Sequence, residues 1–109
     1  FHRADFSECN MTLSVLVGAQ LNKANLRDTS FVRTIWREGE FATVLDGCDM
    51  RGLNLEKAKL KGVSMIAADL STANLTNADL QNAFLSSAIL SDAQMQGVNA
   101  RGADLQEST

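Results

Sequence analysis

The chain has 109 residues, of which 45% are hydrophobic and 21% charged, so it has the composition of one globular domain and not of a disordered segment. Its formal net charge of −3 argues against direct binding of nucleic acid, which requires a basic surface. No apolar run approaches the ~18 residues of a transmembrane helix, so we predict no transmembrane segment.

Large apolar residues recur at every fifth position. The residue two places earlier is small in most repeats, Asp or Asn often stands between the two, as in Ala68-Asp69-Leu70, and glycine is frequent two places after. We call the large residues the column residues. They are Phe1, Phe6, Met11, Leu16, Leu21, Leu26, Phe31, Trp36 and Phe41, followed by Leu45, Met50, Leu55, Leu60, Met65, Leu70, Leu75, Leu80, Leu85, Leu90, Met95, Ala100 and Leu105.

A period of five suits neither regular element. On a helix, five residues advance by roughly 140° net, so the column residues would scatter around the axis. On a flat strand, an odd period would place them on alternate faces. If the chain turns a corner about every five residues, every column residue can point inward, and Gly, Asn and Asp supply the corner conformations.

These tandem Ala-(Asp/Asn)-Leu-X-X units resemble the pentapeptide-repeat family over the whole chain, most clearly from 68 to 80. The resemblance implies an all-β fold, a right-handed quadrilateral β-helix (a β-solenoid) of about five coils with four sides each. Residues 1–109 would form a single pentapeptide-repeat domain. Because Phe1 and Leu105 are both in register, we expect it to be part of a longer chain, or to pack end to end with another copy.

The register breaks near residues 42–45, where Phe41 and Leu45 are four residues apart. The preferred interpretation is that one residue is missing near 42–43 and that the corner there is reshaped. The alternative is a small loop over about 42–49 that leaves Leu45 outside the column.

Residues about 20 apart should stack, or 19 apart across the break, which puts Cys9 and Cys48 two coils apart at ~9–10 Å, beyond disulfide reach. We expect both to be inward-facing thiols in place of alanine. With no signal-peptide pattern at the start, unpaired cysteines favour a cytoplasmic location.

Two groups of apolar residues fall in outward positions. The first comprises Leu13, Val15, Val17, Val32 and Ile35, and the second, smaller one comprises Phe84 and Ile89. Exposed apolar patches often mark partner surfaces, so both are candidate partner-binding sites. The alternative is that these residues pack on flanking sequence or on corner backbone.

No residues suggest catalysis. His2 is the only histidine, and it lies near Asp5 and Ser7 at an open end of the predicted rod, where no cleft is expected. We predict no catalytic residue, no metal site and no cofactor. A rigid rod with flat, variable faces suits binding, so we predict a non-enzymatic module for protein–protein interaction or scaffolding, with an unidentified protein partner or self-association. Many members of the family that it resembles are bacterial proteins of unassigned role. The alternative that the resemblance implies is a DNA mimic that binds type II topoisomerase, as the quinolone-resistance-like members do.

Overall fold

Each five-residue unit makes one short straight side and one corner. The computed structural model describes residues 4–7, 21, 25–26, 36–38 and 41–109, and for 37–38 and 41–42 the backbone alone. From Val44 to Asp104, the residue before each column residue forms a parallel β-bridge with the residue 20 positions along the chain, as Val44 does with Ser64. Four units therefore complete one coil, which gives the solenoid four sides.

The outward residue in the middle of each straight stretch defines the four sides, which we number in chain order from Val44. Side 1 carries Val44, Ser64, Phe84 and Asp104; side 2 carries Asp5, Asn25, Asp49, Asp69 and Ile89; side 3 carries Asn54, Asn74 and Gln94; side 4 carries Lys59, Asp79 and Asn99. We call the direction of increasing residue number along each side "above".

Successive coils are joined by backbone hydrogen bonds at three points in each unit. The column residue Leu45 donates to Ser64 O at 2.7 Å, the corner residue Gly47 donates to Ile66 O at 2.8 Å, and the outward residue Asp69 donates downward to Cys48 O at 3.0 Å. At these three positions of each unit proline would remove a ladder donor, which is consistent with a sequence that contains no proline.

The interior is filled by two stacked sets of side chains. The column residues from Leu45 to Leu85 are fully buried, together with the small or medium residues two places before them. The buried residues of this second set are Thr43, Cys48, Leu53, Ala58, Val63, Ala68, Ala73, Ala78, Ala83 and Ala88. Burying one Leu or Met contributes about 1.5–3 kcal/mol before the entropy of ordering is subtracted, so the column is the main source of cohesion.

Each corner is a tight turn with one residue in the left-handed region. Cys48 N–H donates to Leu45 O at 3.2 Å, and between them Gly47 has φ of 67°. Positive φ at the third residue of a four-residue turn is the type II pattern. The same position has positive φ at every corner after Leu45, at Gly47, Gly52, Lys57, Gly62, Ala67, Thr72, Asn77, Asn82, Ser87, Asp92, Gly97, Gly102 and Glu107.

The register break is a hairpin inserted at one corner. Strand β1 (Arg37–Glu38) pairs antiparallel with β2 (Phe41–Ala42), with Arg37 opposite Ala42 and Glu38 opposite Phe41. The turn bond that elsewhere spans three residues here joins Thr43 N–H to Trp36 O at 2.9 Å, and the Thr43 hydroxyl donates to the same oxygen at 2.9 Å. Six residues thus stand where other corners have two.

This hairpin confirms the break but corrects our interpretation of it. Four residues are added, and none is missing. Leu45 is fully buried, so it lies in the column as preferred, and the alternative loop with Leu45 outside is wrong. Phe41, which the repeat predicts to be a column residue, lies in strand β2 of the hairpin.

The inserted residues also change the stacking across the break. Asn25 bridges Asp49, a step of 24 residues and not 19, while Asp5 bridges Asn25 at the regular 20. Cys48 therefore lies in line with Ala4 and Ala68, whereas the predicted step of 19 would have put Cys9 in this line. Cys9 itself lies outside the described residues.

Removing the insertion should restore a regular corner. Deleting 38–41 leaves Trp36-Arg37-Ala42-Thr43, which has the spacing of every other corner. We expect this variant to fold, with a melting temperature within a few degrees of the wild type by circular dichroism. Deleting 37–41 leaves one residue too few, and this variant should lose its cooperative transition. Equal stability of the two deletions would contradict the insertion.

Corners also interact between coils. The Asn77 side chain fills the space beside Gly97, one coil above, so a Cβ added at Gly97 would overlap Asn77 Oδ1. Both residues have positive φ, of 59° and 70°. Gly97 is therefore required for close approach as well as for its backbone conformation.

A double-mutant cycle separates these two requirements. Gly97→Ala should destabilise by about 1–2 kcal/mol through the left-handed backbone alone, as for any Cβ there, and by about 1 kcal/mol more through the overlap. In an Asn77→Gly background, only the first part should remain. Urea denaturation of the four proteins measures the coupling, and a coupling energy of zero would show that the Asn77 side chain simply moves aside.

Candidate interaction surface

In most five-residue units, the side chain of the outward residue caps the corner that follows it. The Oδ1 atoms of Asn74, Asp79 and Asp104 accept hydrogen bonds at 3.0, 3.0 and 3.1 Å from the backbone N–H two residues later. These N–H groups make no bond within the ladder, so a short side-chain oxygen at this position satisfies an otherwise orphaned donor. This is why Asp and Asn dominate the position.

The same cap forms in the first described coil. Asp5 Oδ1 accepts the Ser7 N–H at 2.9 Å and the Ser7 hydroxyl at 2.7 Å. These two hydrogen bonds, the backbone one first, lower the pKa of the Asp5 carboxyl. The pairing of Asp5 with Ser7 is thus a turn cap of the kind that the repeats make elsewhere, and His2 lies outside the described residues.

Phe84 and Ile89 break this rule. They occupy outward positions of sides 1 and 2 in which an Asp or Asn would cap Ser86 or Ser91, and neither side chain has an oxygen to do so. Phe84 is 49% exposed and Ile89 40% exposed. A third large apolar residue, Ile66, is 38% exposed in the corner between the same two sides, one coil below.

These three residues surround one corner, and we call them the apolar edge. Ile66 lies directly beneath Ser86, since Ala67 N–H donates to Ser86 O at 2.9 Å. Phe84 precedes that corner on side 1 and Ile89 follows it on side 2. The Ile66 N–H donates a hydrogen bond to Asp46 Oδ1, one coil below, at 3.0 Å. This bond takes the place of a cap from the outward residue Ser64, which supplies none.

Acidic residues flank the apolar edge. Asp104 lies directly above Phe84 on side 1, and Asp69 lies directly below Ile89 on side 2. Glu107 follows in the corner above Ser87, whose N–H donates to Gln106 O at 2.8 Å. Arg51 forms a two-bond ion pair with Asp49 at 2.7 and 2.8 Å, and its Nε lies 3.9 Å from Asp69 Oδ2.

The structure places only part of the predicted surface. Phe84 and Ile89, predicted as the second patch, are exposed and lie on either side of one corner. Sequence reasoning missed Ile66, although an isoleucine immediately after the column residue Met65 was a usable signal. The first patch lies outside the described residues, which include none of Leu13, Val15, Val17, Val32 and Ile35.

Two further observations concern other kinds of site. Cys48 is buried, and its thiol donates to Leu21 O at 2.8 Å, which confirms it as an inward-facing thiol in place of alanine. Among the residues that the structure describes, no group of three or more His, Cys, Asp or Glu could hold a metal ion. The described part of the chain also has no helix of the length and apolar character needed to cross a membrane.

The sequence model of the family described as pentapeptide repeats matches eight copies, over residues 1–35, 42–77 and 68–106. The chain belongs to this family. Like other pentapeptide-repeat proteins, it forms a right-handed quadrilateral β-helix. Residues 36–41, which the match leaves out, include most of the inserted hairpin. No match among curated proteins reaches significance.

Solved structures of pentapeptide-repeat proteins are similar to this chain. Rfr23 from the cyanobacterium Cyanothece 51142 is 21% identical with a TM-score of 0.63, over 96% of this chain and 90% of that one. HetL, involved in heterocyst differentiation regulation in Nostoc sp. strain PCC 7120, is 23% identical with a TM-score of 0.58, over 94% and 64%. QnrB1, a plasmid-mediated fluoroquinolone resistance protein, is 16% identical with a TM-score of 0.78, over 96% and 57%. The chain thus spans less than two thirds of HetL and of QnrB1, and these likenesses show the fold.

Proposed function

We propose that this solenoid is a non-enzymatic module for protein–protein interaction or scaffolding, and that the apolar edge is a surface on which a partner binds. The observation that carries the proposal is the presence of Phe84 and Ile89 in two capping positions. At both positions, the side chain cannot accept the hydrogen bond that caps the next corner, and a large apolar side chain is exposed to water.

The energetics of the fold give no reason for these residues. Phe84 is about half buried, so its burial contributes roughly 1 kcal/mol of the 1.5–3 kcal/mol of a fully buried Phe. An Asn or Asp in its place would lose that contribution and gain a cap worth roughly 1 kcal/mol. The two terms nearly cancel, so folding alone does not favour Phe over Asn, and solubility favours Asn. An exposed apolar cluster without structural benefit is typical of a binding surface.

Replacing both residues with the family's usual capping residue tests this role. We expect the Phe84→Asn/Ile89→Asn variant to keep the melting temperature within a few degrees. It should lose at least one protein, by roughly tenfold or more, from the set that the wild type captures from a lysate of the source organism, since partner contacts of this kind carry 1 kcal/mol or more each. Gln94→Asn on side 3 adds a cap away from the apolar edge and serves as the control.

The outcome is decided by comparing the three captured sets by quantitative mass spectrometry. Proteins lost with the double variant and kept with Gln94→Asn support the proposal. Sedimentation velocity on the same samples detects self-association as the alternative form of contact. Identical captured sets and identical sedimentation for all three proteins would reject the apolar edge as an interface.

The first patch predicted from sequence is proposed as a second partner surface. Its residues are Leu13, Val15, Val17, Val32 and Ile35, and their outward repeat positions support the proposal. Val15→Asp/Ile35→Asp, in the same capture experiment, separates this surface from the apolar edge. Loss of the same captured proteins in both double variants would indicate one extended interface, and loss of different proteins would indicate two.

The alternative function is a DNA mimic that binds type II topoisomerase. It is favoured by one observation: residues 62–100 contain Asp69, Asp79 and Asp92 and no Lys or Arg. These residues make about two coils, or roughly 10 Å of the solenoid, over which duplex DNA carries about six phosphate charges. Half that charge density is a poor imitation of DNA, so we place this function second.

A supercoiling assay decides between the two functions. We expect the protein at micromolar concentration to leave DNA gyrase supercoiling unchanged, because its charge density is too low to displace DNA. QnrB1 and the protein's own Phe84→Asn/Ile89→Asn variant should be assayed in parallel. Inhibition by the wild type and by the variant alike would favour the DNA mimic over the interaction surface proposed here.

A further inference from the structure

The charges around the apolar edge are acidic. Asp104 directly above Phe84 and Asp69 directly below Ile89 place a carboxylate next to each of these apolar side chains. Glu107 adds a third in the corner above. Residues 62–100 contain no Lys or Arg, and the next cation along the chain, Arg101, lies in the corner between sides 4 and 1, at the other end of side 1 from Glu107.

These carboxylates are largely without counter-charges within the described part of the chain. No described basic side chain forms an ion pair with Asp104 or Glu107. Asp69 has Arg51 Nε at 3.9 Å, but the guanidinium group of Arg51 is bound at 2.7 and 2.8 Å to Asp49. The apolar edge therefore lies in a negative local field that a cationic ligand would satisfy.

We propose that the occupant of the apolar edge is a short amphipathic segment of another protein, in which one or two large apolar side chains are flanked by Lys or Arg. The apolar side chains would cover Phe84, Ile89 and Ile66, and the cations would pair with Asp104 and Asp69. This inference rests on the proposed function and specifies the chemistry of its partner.

Charge and area both argue against a second copy as the occupant. A two-fold contact through the apolar edge would bring Asp104 and Asp69 of one copy against the same acidic surface of the other. The three side chains expose roughly 250 Å² of apolar surface, taking about half of a Phe and two fifths of each Ile. A stable dimer buries about 800 Å² on each partner, so this area fits a short segment better.

Three synthetic peptides of about 12 residues, labelled for fluorescence anisotropy, test the chemistry. One alternates Leu and Lys on opposite faces of a helix, the second has Glu in place of Lys, and the third has Ser in place of Leu. At low salt we expect only the Leu/Lys peptide to bind, with a micromolar dissociation constant. Phe84→Asn/Ile89→Asn should weaken it roughly tenfold or more, and raising the NaCl concentration from about 50 to 300 mM should weaken it several-fold.

The carboxylates can be tested without disturbing the turns. Asn caps a corner as Asp does, as Asn74 shows for Thr76 at 3.0 Å, so Asp69→Asn and Asp104→Asn remove charge and keep the cap. Together they should weaken the Leu/Lys peptide several-fold and flatten its salt dependence. Asp104→Asn alone should show part of both effects, whereas Asp79→Asn on side 4, which keeps the same cap and makes the same single change in charge, should show neither.

The outcomes separate this inference from the proposed function. Equal binding of the Leu/Lys and Leu/Glu peptides, or equal effects of Asp79→Asn and Asp104→Asn, would overturn the cationic partner. If no peptide binds but captured proteins still depend on Phe84 and Ile89, the chemistry is wrong and the interaction surface stands. If neither experiment depends on Phe84 and Ile89, both proposals are wrong.

Discussion

Everything in this solenoid depends on the turn that follows each column residue. In this turn, the N–H three residues after a column residue donates to the carbonyl oxygen of that column residue, as Cys48 N–H does to Leu45 O at 3.2 Å. The residue just before the donor, here Gly47, must have positive φ. Because this turn recurs every five residues, each column side chain points inward and each outward residue stacks on its counterpart 20 positions away. The core, the ladder and the sides all follow from it.

The same turn explains why the corners tolerate strain. Thr72 is β-branched and has φ of 60°, a conformation that costs an L-residue about 1–2 kcal/mol. Its N–H donates upward to Ser91 O at 3.0 Å, while the next N–H, of Ala73, closes the turn on Leu70 O at 3.0 Å. A change in the Thr72 backbone conformation would break one or both of these hydrogen bonds. The neighbouring coils thus impose the geometry that glycine supplies freely at other corners.

The sequence was enough to predict the period, the positions buried between Thr43 and Ala88, and the place of the break, because each depends on which residue type recurs at which position. It was not enough to predict the nature of the break. A deletion of one residue and an insertion of four residues differ by five residues, which is one full repeat. Both therefore put Leu45 at the same position within its repeat, and the pattern alone cannot distinguish them. What distinguishes them is the hydrogen bond from Thr43 to Trp36 O, a contact across six residues that no repeat pattern encodes. The mistaken step of 19 followed directly from this ambiguity.

At the capping position, folding favours a short side chain with an oxygen atom but does not favour Asp over Asn. Asp and Asn cap a corner equally well, so the fold places no demand on which sides carry charge. Side 3 has Asn54, Asn74 and Gln94, all neutral, whereas sides 1 and 2 combine carboxylates with the exposed side chains of Phe84 and Ile89. The outward positions of Phe84 and Ile89 could therefore be read from the repeat. Their neighbours Ile66, Asp69 and Asp104 could not be recognised as part of one surface until the coils were stacked. The choice among residues that fold equally well is where selection for a partner can act, and here it produces apolar and acidic residues around a single corner.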